Sequence, residues 1–158
     1  MRRNGNFARS NTLLFNCKCA LFFGPGMSQS KSHGAVKWSP TVFVVDDEKM
    51  LLDLAEMILE PAGFRVFLFH NPKQALNEYI AAKPPPDVVV TDYNMAGMSG
   101  LDLIRECRRL NPRQKTILLS GTVDESVYAD SPVKPDYLLA KPYQIHKLIE
   151  VIYSLAAT

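Results

Sequence analysis

Cysteine is scarce in this 158-residue chain, with Cys17, Cys19 and Cys107 only. An odd, sparse set excludes a disulfide scaffold and points to free thiols in a reducing compartment, so a cytoplasmic location is expected. Cys17 and Cys19 form a C-x-C pair, too few ligands for zinc without distant help. Cys107 reads as a helix residue, with no activating histidine in an evident motif. His33, His70 and His146 are scattered and make no metal set; the latter two read as surface or cap residues. No apolar run reaches the roughly 20 residues that a membrane span needs, so a soluble protein is expected. No internal repeat is visible. Acid is missing from residues 1–35, which hold Arg2, Arg3, Arg9, Lys18 and Lys31. The rest carries 13 basic residues and all 16 acidic ones, and a mildly acidic body gives no nucleic-acid footprint.

The basic stretch differs from the rest of the chain. Its apolar residues, Leu13-Leu14-Phe15 and Ala20-Leu21-Phe22-Phe23, are interrupted by Asn16 and Lys18, and Gly24-Pro25-Gly26 is a poor cleavage site for a signal peptide. Residues 1–38 therefore read as a disordered extension, with Met27 as a candidate natural start. Residues 39–158 read as one domain, an ordinary length for a single core. A composition of 47% hydrophobic and 22% charged residues suits a globular fold.

From Thr41 the pattern is regular. Thr41–Val45 is a short β-branched apolar run, as in a strand buried on both faces. Met50–Leu59 has apolar residues at helical spacing and is stopped by Pro61-Ala62-Gly63. Arg65–Phe69 reads as a second strand, and Asn71-Pro72 caps and starts a helix through Leu76, Tyr79 and Ile80. Asp87–Asp92 is a third strand, followed by a Gly-rich loop over residues 93–100. Leu101, Leu103, Ile104, Cys107 and Leu110 mark the next helix. Thr116–Ser120 and Tyr137–Ala140 are further strands, Asp124–Ala129 a weak helical turn or two, and Ile145–Leu155 a last helix. Trp38 is expected to pack on the edge of the core. Five strands alternating with five helices predict a doubly wound parallel sheet, flavodoxin-like in order 2-1-3-4-5, with helices on both faces. Such folds place their site outside the carboxyl ends of the strands.

Those ends carry Asp46-Asp47, Asp92, Ser120-Gly121 and Lys141-Pro142. Any one Asp or Ser after a strand is usually a cap or turn residue. The set is different, because three carboxylates, a hydroxyl and an ammonium meet at one sheet edge. Clustered carboxylates suit Mg²⁺, which takes one or two of them, keeps waters and tolerates phosphate oxygens. An aspartate beside that ion can attack phosphorus and become an acyl phosphate. Lys141 and the Ser120 hydroxyl can neutralise the transferring oxygens.

Asp46-Asp47, the stretch from Asp92-Tyr93-Asn94-Met95 to Leu103, Ser120-Gly121 and Lys141-Pro142-Tyr143 together resemble the receiver domain of two-component response regulators. The resemblance runs from about Thr41 to Leu155. It implies that Asp92 is the phospho-acceptor. It implies that Asp47, Asp92 and the Asn94 backbone carbonyl bind Mg²⁺ directly, and Asp46 through water. Ser120 would bond the phosphoryl group, Lys141 would pair with its oxygens, and Lys141-Pro142 would be a cis peptide. The implied partners are a sensor histidine kinase or a histidine phosphotransfer protein, and an unidentified downstream protein. Neither nucleic acid nor membrane is expected to bind.

Three features depart from the family pattern. Ala96 stands where proline is frequent. Pro132 and Pro135 sit near the weak helix. Leu138 occupies the switch position, where the family usually has Tyr or Phe. With nothing after the last helix, the resemblance is to stand-alone receivers that accept phosphate and lose it again but turn over no other substrate. Two other readings are open. A Mg²⁺-dependent phosphohydrolase of the haloacid-dehalogenase type would need an acid where Asn94 stands. A receiver-like module independent of phosphorylation would have lost an acceptor or acidic residue.

Overall fold

The computed structural model describes residues 38–121, 129 and 131–158. It contains β1 (Thr41–Val45), α1 (Lys49–Leu59), β2 (Arg65–Phe69), α2 (Pro72–Ala81), β3 (Val88–Asp92), α3 (Gly100–Leu110), β4 (Lys115–Ser120), β5 (Tyr137–Ala140) and α4 (Ile145–Ala156). The strands form one sheet in order β2-β1-β3-β4-β5, every pairing parallel, as the alternation predicts. The expected turn at 124–129 lies outside the described residues except for Ala129, and Cys17, Cys19 and His33 of the extension lie wholly outside them.

Alternation along the strands builds two cores. Val42, Val44, Val88, Val90, Ile117, Leu119 and Leu139 face Leu52, Leu59, Leu148 and Ile152 of α1 and α4. Phe43, Val45, Phe69 and Val89 face Ala75, Tyr79, Leu103 and Cys107 of α2 and α3. Each large apolar side chain buried here contributes about 1.5–3 kcal/mol relative to exposure. β1 and β3 are central and covered on both faces, which is why they read as unbroken apolar runs.

Local chemistry sets the helix ends. The Asn71 side chain accepts from the N–H groups of Lys73 (2.9 Å) and Gln74 (3.3 Å), with Pro72 at the first helical position. α3 opens on a capping box: Ser99 accepts from the Asp102 N–H, and Asp102 accepts from the Ser99 N–H. The Ser99 hydroxyl, then the nearby Arg105, hold the Asp102 carboxyl below the usual carboxylate range against the opposing effect of burial. After α1, Gly63 turns the chain at φ +99°, a conformation L side chains rarely adopt. The expectation for Trp38 is wrong. It is 54% exposed, three residues ahead of Thr41, where sheet pairing begins.

Candidate functional site at the carboxyl edge of the sheet

The parallel sheet delivers the ends of β1, β3, β4 and β5 to one edge. Asp46 follows β1 directly and is buried, whereas Asp47, one residue on, is exposed. Asp92 is the last residue of β3 and buried at 7% exposure. Ser120 ends β4 and is also buried. The N–H of Lys141 donates to the Ser120 carbonyl at 2.6 Å, which ties the ends of β4 and β5 together. The Lys141–Pro142 peptide is cis.

The Lys141 ammonium holds the site together. Its Nζ lies 2.7 Å from Asp92 Oδ1 and 3.0 Å from Asp46 Oδ2. Burial pushes this ammonium toward losing its proton, but the hydrogen bonds and charges of Asp92 and Asp46 outweigh that, and its pKa rises above the ordinary lysine value. Each carboxylate has a second donor. Asp46 Oδ1 accepts from the Glu48 N–H at 2.9 Å, and Asp92 Oδ2 from the Asn94 N–H at 2.7 Å. Asp47 is apart from this pair, its Oδ2 accepting from the Ala96 N–H at 3.3 Å. The structure thus joins Asp46, Asp92 and Lys141 directly, sets Ser120 against Lys141 through the backbone, and, among the described residues, links Asp47 to the loop after β3.

Among the described residues no three His, Cys, Asp or Glu side chains form a ready metal cage. The donors still fit a hard cation that needs one or two carboxylates and otherwise keeps waters. Asp47 is exposed, and its second oxygen has no hydrogen bond among the described residues. Asp46 is committed on both oxygens, which suits an indirect role.

Gly100 is a positioning residue absent from the sequence-based set. A Cβ there would lie 2.1 Å from the Asp92 backbone oxygen and 2.9 Å from Leu118 Cδ1. The first turn of α3 therefore rests directly on the Asp92 peptide. The sequence shows a Gly-rich loop here, but not which glycine the fold requires. Tyr143, two residues beyond Lys141, also borders the site. Its hydroxyl is raised in pKa by burial, with Asp46 and Asp92 adding to the rise and Lys141 opposing it. Cys107 is buried, and burial pushes its thiol up to about 12, so it is no nucleophile at neutral pH. His70 and His146 are exposed, as expected.

A parallel 2-1-3-4-5 sheet with two aspartates bridged by a lysine at its carboxyl edge defines a receiver-type signalling domain. The chain belongs to the response regulator receiver domain family, whose model matches residues 42–153. It is 32% identical over 111 residues to the probable transcriptional regulatory protein TcrX of Mycobacterium tuberculosis, covering 69% of this chain and 46% of that protein. It is 26% identical over 113 residues to the chemotaxis protein CheY of Thermotoga maritima, covering 70% and 92% respectively. The chain spans between a quarter and a half of the curated regulators it first matches. A receiver domain protein from Clostridium thermocellum superposes with TM-score 0.68 at 27% identity, covering 75% of this chain and 94% of that one. The response regulator TrrA of Thermotoga maritima, solved in complex with Mg²⁺ and a beryllium fluoride, superposes with TM-score 0.65 at 27% identity, covering 73% and 98%.

Proposed function

We infer that this protein is a phosphorylation-driven switch in which Asp92 accepts a phosphoryl group from a phosphohistidine of a sensor kinase or phosphotransfer protein. The observation that carries this reading is the Lys141 ammonium shared by Asp92 and Asp46 at the carboxyl edge. In the transfer, an oxygen of Asp92 bonds to phosphorus as the P–N bond breaks. The leaving imidazole keeps that electron pair and takes up a proton. The Asn94 N–H orients the Asp92 carboxylate. Lys141 meets the incoming phosphoryl oxygens, and Ser120, at the end of β4, donates its hydroxyl to one of them. Asp47, Asp92 and the Asn94 carbonyl would hold Mg²⁺, with Asp46 acting through water. When bound, that ion supplies positive charge to the phosphoryl oxygens. The chain accepts and loses phosphate without turning over other substrates.

An apolar groove beside Lys141, lined by Leu51, Leu54, Ile58, Tyr143 and Ile145, supports a protein as the phosphodonor. Output through contact with a further protein, or through relay to a phosphotransfer protein, belongs to the same reading. Incubation with acetyl phosphate and Mg²⁺ is expected to add one acid-stable, base-labile phosphoryl group. Chelation of the metal or Asp92→Asn is expected to abolish it. Undiminished labelling of Asp92→Asn at another residue would refute the assignment, and turnover of small phosphate esters would favour a phosphohydrolase.

A further inference from the structure

At the opposite edge of the sheet, α3, β4 and the entry to β5 meet in a charged cluster that the phosphotransfer site does not use. Arg108, in the last turn of α3, places its NH2 group 2.6 Å from Asp136 Oδ2 and 3.2 Å from Thr116 Oγ1, while its NH1 group donates to the Lys134 carbonyl. Asp136 immediately precedes β5. Its Oδ2 also accepts from the Thr116 N–H (2.7 Å) and the Thr116 hydroxyl (3.0 Å). One carboxylate oxygen therefore takes three donors from Arg108 and Thr116, and Oδ1 takes none among the described residues. Arg108 Nε is buried and has no partner among them either.

That pattern is an ion pair closed on one side. Nε and NH2 form one edge of the guanidinium, the edge that grips a carboxylate in a two-bond fork. Here NH2 is engaged, while Nε, which is buried, and Oδ1, on an exposed carboxylate, have no partner among the described residues. A buried donor without a partner is costly, so a small relative movement of α3 and Asp136 that completes the fork is favourable.

α3 links this cluster to the phosphotransfer site. Gly100, its first residue, leaves no room for a Cβ against the Asp92 carbonyl. Arg108 lies eight residues further on, about 12 Å along the same helix. β5 is thus reached from the site at both ends: through Lys141 at its exit and through α3 and Arg108 at its entry.

The structure assigns to Arg108 and Asp136 the role of a two-position latch, open on one side here and closed into a fork when Asp92 is phosphorylated, which carries the state of Asp92 to the entry of β5. This rests on Asp92 being the phospho-acceptor. Arg108 is a positioning residue and touches no reacting atom.

The test is hydrogen exchange on the full chain with and without Mg²⁺ plus beryllofluoride, comparing wild type, Arg108→Lys and Asp136→Asn. Loading is followed separately by fluorine NMR. In the wild type, loading is expected to slow exchange over residues 131–140 by roughly threefold or more. Arg108→Lys keeps the charge but has no fork. It is expected to load like the wild type and lose that difference, as is Asp136→Asn. A bond with only a structural role lowers protection equally in both states and leaves the ratio between them unchanged. An unchanged ratio in both variants, or a loaded wild type that shows no change over 131–140, overturns the latch. A wild type that neither loads nor is labelled by acetyl phosphate overturns the phospho-acceptor reading, and the latch with it.

Discussion

Lys141 works by charge placement. Asp46 and Asp92 are both buried, and each lies within 3.0 Å of the same ammonium. Without that cation two carboxylates would face each other with only one backbone N–H each in compensation, and removing one partner of a buried pair costs more than the pair itself contributes. Because Lys141 keeps 26% of its side chain exposed, Lys141→Ala is expected to cost about 1–3 kcal/mol, less than a fully buried partner would. Urea unfolding near pH 7 without metal measures this. Added Mg²⁺ should restore more stability to the variant than it gives the wild type, because a divalent cation can take over the missing charge. Equal Mg²⁺ effects on both would contradict the argument. The lysine pKa is raised on folding, so this stabilisation is complete below the ordinary value of 10.5 and fades as pH rises through the higher folded value.

At the scale of elements, α3 shows what was legible and what was not. β1, β2 and β5 have the bounds the sequence predicts, because short apolar runs with Asp, Gly or Pro within a few residues of their ends leave little freedom in register. The Asn71-Pro72 start of α2 was equally plain, since both residues have a mechanism at a helix start. Gly100 was not, because its role depends on a contact with Asp92 that only the folded chain creates. Nor was the Arg108–Asp136 pair, whose members are 28 residues apart and become neighbours only when α3 packs on β3 and β4 and the Asp136 N–H bonds the Thr116 carbonyl. Trp38 misled because apolar character alone does not say where the sheet begins. The α3 start yields a decisive substitution. Helix propensity favours Ala over Gly by about 1 kcal/mol. At Gly100, however, the added Cβ would sit 2.1 Å from a backbone oxygen, and backbone cannot turn aside as a side chain can. The clash is expected to win. Gly100→Ala should lose about 1–3 kcal/mol net and slow acetyl phosphate labelling of Asp92. A variant as stable as wild type and labelled as fast would show that the loop tolerates the shift.

At the scale of the whole sheet, its two edges carry different groups. The carboxyl edge gathers Asp46, Asp92, Ser120 and Lys141, while the opposite edge gathers Arg108, Thr116 and Asp136, and β5 runs between them. Leu138 lies on β5 between those two edges. Register pairs Leu138 with Leu118, and alternation puts Tyr137 and Leu139 on the other face, against α4. There the Lys147 ammonium lies 5.9 Å from the Tyr137 ring centroid. Tyr137 therefore cannot stand in for a ring on the Leu138 face without a one-residue slip, which would turn Leu139 out of the core. A half-buried leucine has no hydroxyl to rebond and no ring to swing, and a modification shifts an equilibrium only through contacts that differ between states. Leu138 is therefore expected to pack without reporting. Leu138→Ala is expected to cost about 1–2 kcal/mol from lost burial. It should leave acetyl phosphate labelling and the beryllofluoride-dependent exchange difference over residues 131–140 close to wild type. Thermal unfolding and hydrogen exchange on the same preparations separate the two effects. Loss of the exchange difference in a variant that is folded and still labelled would mean that Leu138 carries the signal after all, by packing rather than by an aromatic swing.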